Sequence, residues 1–209
     1  MFRNLLFLVV FLVSVPVQAG EKTILVLADS LSASYGIAIE EGWVSLLQER
    51  LHEQAYPYKV LNTSISGDTT HGALARLDAI LKDGVPDITV VELGGNDGLR
   101  GLPVTEIRKN LEGIIVRLME AGSEVLLVPM LLPPNYGQFY IDRFTGIYRE
   151  LAEDHEITLS RFILEGIADK PELMQDDGIH PTAEAQGMML DNIWEDLESL
   201  IMAGSRQES

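Results

Sequence analysis

Four short stretches of this chain carry residue types that can do chemistry together: Ala28-Asp29-Ser30-Leu31-Ser32, Ser64-Ile65-Ser66-Gly67-Asp68, Gly94-Gly95-Asn96-Asp97 and Asp176-Asp177-Gly178-Ile179-His180-Pro181. Singly, each has an ordinary explanation. Serine caps helices, Gly-Asp and Gly-Gly-Asn make turns, and Asp-Gly before Pro is loop chemistry. Together they supply a hydroxyl nucleophile, an imidazole base, a carboxylate to orient it and amide donors for an oxyanion, the inventory of a serine hydrolase. A serine hydroxyl is a poor nucleophile at neutral pH until an imidazole accepts its proton. His180 is the histidine assigned to that task, because His52, His71 and His155 fall on predicted helices and read as surface residues. Asp176 and Asp177 both stand within one loop of His180, and proximity alone leaves either able to hold its second ring nitrogen. A metal-dependent hydrolase would draw instead on Asp29, Asp68, Asp97 and Asp177, although loop aspartates usually make turns.

Chemistry at four separated places needs a scaffold that brings them together. Thr23 to Leu27, Tyr58 to Ile65, Ile88 to Leu93 and Glu124 to Val128 read as strands, with a shorter one around Ile157 to Leu159. The first is apolar without a break, as expected of a strand buried on both faces. Helical stripes lie between them: Val44 to Leu51, Leu74 to Leu81, Ile107 to Leu118 closed by Gly122, and Tyr140 to Ala152. A last helix carries Met189, Ile193, Leu197 and Leu200 on one face. Strand and helix alternating in this way imply βαβ units, hence an α/β fold with a mainly parallel sheet covered on both faces. Ligands bind such sheets beyond the carboxyl ends of the strands, and three of the four stretches follow predicted strands directly.

The composition narrows the class. Fifteen Lys+Arg against 32 Asp+Glu give 209 residues a net charge of −17, which argues against nucleic acid and against anionic lipid surfaces. With no cysteine there is no disulfide, thiolate metal site or cysteine nucleophile. Residues 1–19 read as a cleaved signal peptide. Arg3 gives a positive start, Leu5 to Val13 an apolar core too short to span a bilayer, and Val17-Gln18-Ala19 a cleavage site. A single domain over residues 20–209 is expected, periplasmic or secreted, without an integral membrane segment.

The four stretches also resemble, in order, the four sequence blocks of the SGNH (GDSL) hydrolases, most of all the bacterial thioesterase/lysophospholipase/arylesterase group. Val91 to Gly101 and Met174 to Pro181 are the longest matches, and the likeness runs from Thr23 to about Trp194. It implies a three-layer αβα fold with about five strands. It also implies Ser30 as nucleophile, Asp177 with His180 completing the triad, and Ser30, Gly67 and Asn96 as oxyanion donors. No cofactor or metal is implied, because hydrogen bonds meet the developing charge. Two positions depart from the pattern: Ala28 and Ser34 stand where glycines are usual. An alanine at the strand end is tolerable if φ is negative there and strained if it is not.

The expected partners are small acyl esters or thioesters, lysophospholipids among them, and the expected state is a monomer. Leu99, Arg100, Leu102, Leu132, Pro133 and Tyr136 follow strand ends and are candidates to line an acyl groove, with Arg108 a second cation beside Arg100 for an anionic headgroup. A carbohydrate acetylesterase of the same fold, and a lipid carrier using the groove without chemistry, are the alternatives.

Overall fold

The computed structural model describes residues 22–206; the expected signal peptide and its cleavage point lie outside them. Five strands, β1 (Lys22–Ala28), β2 (Tyr58–Asn62), β3 (Ile88–Glu92), β4 (Glu124–Val128) and β5 (Thr158–Leu159), form one sheet in the order β2-β1-β3-β4-β5. All four pairings are parallel, with Ile24 of β1 beside both Val60 and Ile88. The helices are α1 (Trp43–Glu53), α2 (Thr70–Lys82), α3 (Gly95–Leu99), α4 (Val104–Ala121), α5 (Gln138–His155) and α6 (Gln186–Arg206). In one layer α1 packs on α6, and in the other α4 packs between α2 and α5. This is the expected three-layer αβα architecture.

Burial follows the pattern that defined the elements. Ile24 to Ala28 of β1 and every residue of β3 are buried, as a central strand covered on both faces requires. The α4 stripe Ile107, Leu111, Ile114, Ile115 and Leu118 is buried, and Gly122 closes the helix in the left-handed region. Trp43 at the start of α1 donates its backbone N–H to Gln186 Oε1 at 3.0 Å, so α6 caps an otherwise orphaned helix end.

Two elements differ from the sequence expectation. Strand β2 stops at Asn62 and does not continue to Ile65. The Asn62 side chain donates to Ser32 O and accepts from Ser64 N, a local turn that competes with the ladder. The Gly94-Gly95-Asn96-Asp97 stretch is not a plain turn, because Gly95–Leu99 winds into the short helix α3.

Candidate active site

The carboxyl end of β1 delivers the first reactive group. Asp29 follows the strand, its Oδ1 accepts Leu31 N–H at 3.1 Å, and its carbonyl accepts Ala33 N–H, so the chain turns sharply and leaves Ser30 at the bend. Ala28 is extended, so its methyl group causes no strain at the strand end. Ser34 holds φ +55°, in the left-handed region that a glycine would occupy freely.

The loop after β2 carries Gly67 at φ +78°, where a side chain would be strained, and Arg100 Nη2 donates to its carbonyl at 3.0 Å. After β3, Asn96 on α3 donates through Nδ2 to Asp29 Oδ2 at 2.9 Å. Its neighbour Asp97 is buried and ties α3 to the start of α2, accepting from Thr70 N–H and Oγ1 at 3.0 and 2.6 Å.

The fourth stretch folds into a small loop before α6. Gln175 N–H donates to His180 O, Met174 and Pro181 form a bridge, and Gly178 N–H closes on Gln175 O with φ +65°. Asp177 Oδ1 accepts the backbone N–H groups of Ile179 and His180 at 2.9 and 3.0 Å, and Oδ2 accepts His180 Nδ1 at 2.6 Å. These donors, the His180 backbone N–H foremost, hold the Asp177 carboxyl down at about 2. The other ring nitrogen of His180 lies 2.8 Å from Ser30 Oγ. Tyr35 covers the imidazole with ring centroids 4.2 Å apart, and Gln175 Nε2 ties Tyr35 O to Pro181 O. Asp176, the alternative by spacing, instead lines a surface depression with Asp169 and Met174.

Beneath Ser30 lies a polar floor that sequence reasoning missed. Glu92, the last residue of β3, is fully buried; its Oε2 accepts from Ser32 Oγ at 2.8 Å, and its Oε1 has no hydrogen-bond partner among the described residues. Trp43 Nε1 donates in turn to Ser32 Oγ at 3.2 Å. Burial, and then the charge of Asp29, pushes the Glu92 carboxyl well up. Burial also raises Asp29 to about 6, against the pull of Leu31 N–H and Asn96. A glutamate ending an otherwise apolar strand, Ile88-Thr89-Val90-Val91-Glu92, was the available signal for this floor.

The structure redistributes the expected groove residues. Leu132 is only 8% exposed and packs under Gly98, where a β-carbon would come within 2.7 Å of Leu132 Cδ2. It supports α3 from below and does not line an open groove. Leu99 and Leu102 are half-buried, their carbonyls held by Tyr136 Oη at 2.8 Å and Tyr140 Oη at 2.7 Å. Arg100 and Pro133 are exposed. Arg108 is spent elsewhere, pairing with Glu112 at 3.1 Å and Asp154 at 2.7 Å. His155 is half-buried, 3.5 Å from Glu112, so it is not the free surface residue expected. The aspartates of the metal reading are each occupied by donors: Asp68 pairs with Arg76 at 2.9 Å, and Asp29, Asp97 and Asp177 hold the contacts described above.

A parallel sheet that sets serine and amides at its strand ends against a carboxylate–imidazole pair on the loop before α6 has the arrangement of a serine hydrolase. The chain belongs to the GDSL-like lipase/acylhydrolase family, whose profile matches residues 29–187. It is 45% identical over 197 residues to an arylesterase of Vibrio mimicus, covering 94% of this chain and 98% of that one. It is 41% identical over 183 residues to thioesterase 1/protease 1/lysophospholipase L1 of Escherichia coli K12, covering 88% and 86%. Among solved structures it resembles the psychrotrophic esterase EstA of Pseudoalteromonas, inhibited by monoethylphosphonate, with TM-score 0.82, 40% identity and coverage of 85% and 97%. The protein is a hydrolase of this family, an SGNH esterase. No helix among the described residues is long and apolar enough to cross a membrane.

Proposed function

We propose that the protein is an exported serine esterase and thioesterase that cleaves acyl esters, including aryl and lysophospholipid-type esters, through an acyl-enzyme on Ser30. The observation that carries this reading is the unbroken hydrogen-bond chain from Asp177 through His180 to Ser30 Oγ. Ser30 Oγ attacks the acyl carbonyl carbon while His180 Nε2 takes its proton. The Asp177 carboxylate, held down at about 2 and therefore ionised at neutral pH, keeps Nδ1 protonated and balances the imidazolium. The carbonyl oxygen becomes an oxyanion met by the N–H groups of Ser30 and Gly67 and by Asn96 Nδ2. Collapse breaks the bond to the alcohol or thiol, which leaves with the proton from His180. Water then attacks the acyl-enzyme by the same route, releasing the carboxylic acid and restoring Ser30.

Arg100, exposed against Gly67, is the cation placed for an anionic headgroup, with Leu99, Leu102, Pro133 and Tyr136 flanking the acyl chain. Export rests on the leader read in residues 1–19, and acyl-coenzyme thioesters are scarce outside the cytoplasm, so esters are the favoured physiological substrates.

A fluorophosphonate probe tests the assignment. It should label Ser30 alone, and Ser30→Ala should lose both labelling and hydrolysis of p-nitrophenyl esters of graded chain length while keeping its fold. Labelling at another residue, or an active Ser30→Ala protein, overturns the reading. N-terminal sequencing of the exported material should begin at Gly20; a chain still carrying Arg3 contradicts the cleaved leader.

A further inference from the structure

We propose that Asp29 is a positioning residue for catalysis, acting through Asn96: its carboxylate fixes the carboxamide so that Nδ2, and not Oδ1, faces the reacting carbonyl oxygen. This rests on the reading of Asn96 as an oxyanion donor.

An asparagine side chain has two faces of opposite character, a two-hydrogen donor and an acceptor, and rotation by about 180° exchanges them. Only one is useful at an oxyanion. Presenting Oδ1 would set two partial negative charges against each other. Nothing in the amide itself makes the choice, so a neighbour must.

Asp29 Oδ2 lies 2.9 Å from Asn96 Nδ2, and among the described residues this is the only hydrogen bond the Asn96 side chain makes. A carboxylate only accepts, so it holds the nitrogen side and repels the oxygen side. One N–H is thereby spent on Asp29. The second, about 120° away in the amide plane, remains for the substrate.

Asp29 is itself held at two further points: its Oδ1 accepts Leu31 N–H at 3.1 Å, and its carbonyl accepts Ala33 N–H at 3.1 Å. Glu92 is anchored below by Ser32 and Trp43. Asp29 is 3% exposed, and the ionisable groups around it are His180, Asp68 and Glu92. Capping the Leu31 turn would not require this placement, since a solvent-facing aspartate or asparagine does that without giving up hydration. Burial raises the carboxyl to about 6, a cost that an anion with no role at Asn96 would not explain.

A mutant cycle on p-nitrophenyl ester hydrolysis at pH 8 separates this role from a structural one. Asp29→Asn keeps an oxygen for Leu31 N–H but turns an amide donor toward Asn96, which favours the flipped carboxamide with Oδ1 toward position 29. It should lower kcat about 10- to 100-fold with KM changed less than about threefold, while Tm stays level or rises because a buried charge is gone. In the Asn96→Ala background the same substitution should cost less than about threefold more. If Asp29→Asn misfolds, Asp29→Ser serves in the same cycle, its hydroxyl capping Leu31 N–H without reaching Asn96. Losses that multiply in the double mutant, or a raised KM at unchanged kcat, overturn the role of Asp29 alone. A normal kcat in Asn96→Ala overturns the oxyanion assignment and this inference with it.

Discussion

Two aspartates bracket the reactive serine and are held in opposite ways. Asp29 sits on a dry floor at the strand ends, 3% exposed, with a carboxyl raised to about 6. Asp177 sits on the rim loop with its side chain 39% exposed and its carboxyl lowered to about 2. Burial dominates the first, and three N–H donors dominate the second. On the floor, position is secured by packing, and the charge is a liability that the fold carries. At the rim, position is secured by the charge itself, because the anion gathers the loop's own N–H groups around it. The floor therefore suits an oxyanion donor that must not move, and the rim suits a base that must gain and lose a proton.

The rim is where a single atom exchange should do the greatest damage. In Asp177→Asn, Oδ1 can still accept the Ile179 and His180 backbone N–H groups, so the loop keeps its shape. The amide nitrogen then faces His180 Nδ1, favours the tautomer with the proton on Nε2, and leaves Ser30 without a base. We expect kcat/KM to fall about 10³- to 10⁴-fold with the circular dichroism spectrum unchanged. A loss below tenfold would show that the loop, and not the anion, orients the imidazole.

The rim was legible in the sequence and the floor was not, for a physical reason. Asp177, Gly178 and His180 interact within one turn of chain, so the spacing marks the loop, although it is the family resemblance that separates Asp177 from Asp176; hydrophobic periodicity marks the strands that point Ser30 and Asn96 to the same edge. The floor consists of contacts across 60 or more residues, Ser32 to Glu92 and Asn96 to Asp29. No local pattern encodes those partners. The same limit explains Leu132 and Arg108: each lies in a stretch that follows or flanks the site, yet tertiary neighbours claim one for the core and the other for α5. Strand β2 ends three residues short of the sequence pattern because Asn62 makes its turn only once Ser32 is beside it.

The contrast has a thermodynamic signature. A carboxyl raised by folding stabilises the native state below its ordinary value, and that contribution is lost as pH rises through the raised one. For Asp29 the window runs from 3.8 to about 6. Asp177 has the opposite sign: its contribution is present above 3.8 and disappears as pH falls toward 2. Urea unfolding of wild type and both Asp→Asn variants from pH 3 to 8 measures this. Relative to wild type, Asp29→Asn should gain stability between pH 4 and 7, whereas Asp177→Asn should approach wild type only below pH 4. Parallel curves for the two variants would erase the distinction between floor and rim.

The smallest effect is expected at the joint between them, the turn that leads from Ser32 on the floor to Tyr35 over His180. Ser34 carries φ +55°, and its Oγ occupies the space where a β-carbon on Gly42 would fall. Ser34→Gly relieves a left-handed β-carbon but frees the unfolded backbone by a similar amount, so stability should change by less than about 0.5 kcal/mol. Gly42 has φ −69° and ψ 147°, which any residue adopts. The cost of Gly42→Ala is therefore steric, about 1 kcal/mol or somewhat more as Ser34 is displaced. Combined with Ser34→Gly, most of that cost should vanish, with Ile39 O at 3.3 Å the closest remaining neighbour. Urea midpoints of the two single variants and the double variant give the coupling directly. If Asp177 alone holds His180 in place, kcat should stay within about twofold in all three. A tenfold fall in kcat on Gly42→Ala, restored by Ser34→Gly, would show instead that the turn transmits floor geometry to the imidazole through Tyr35, and that the two regions are not independently held.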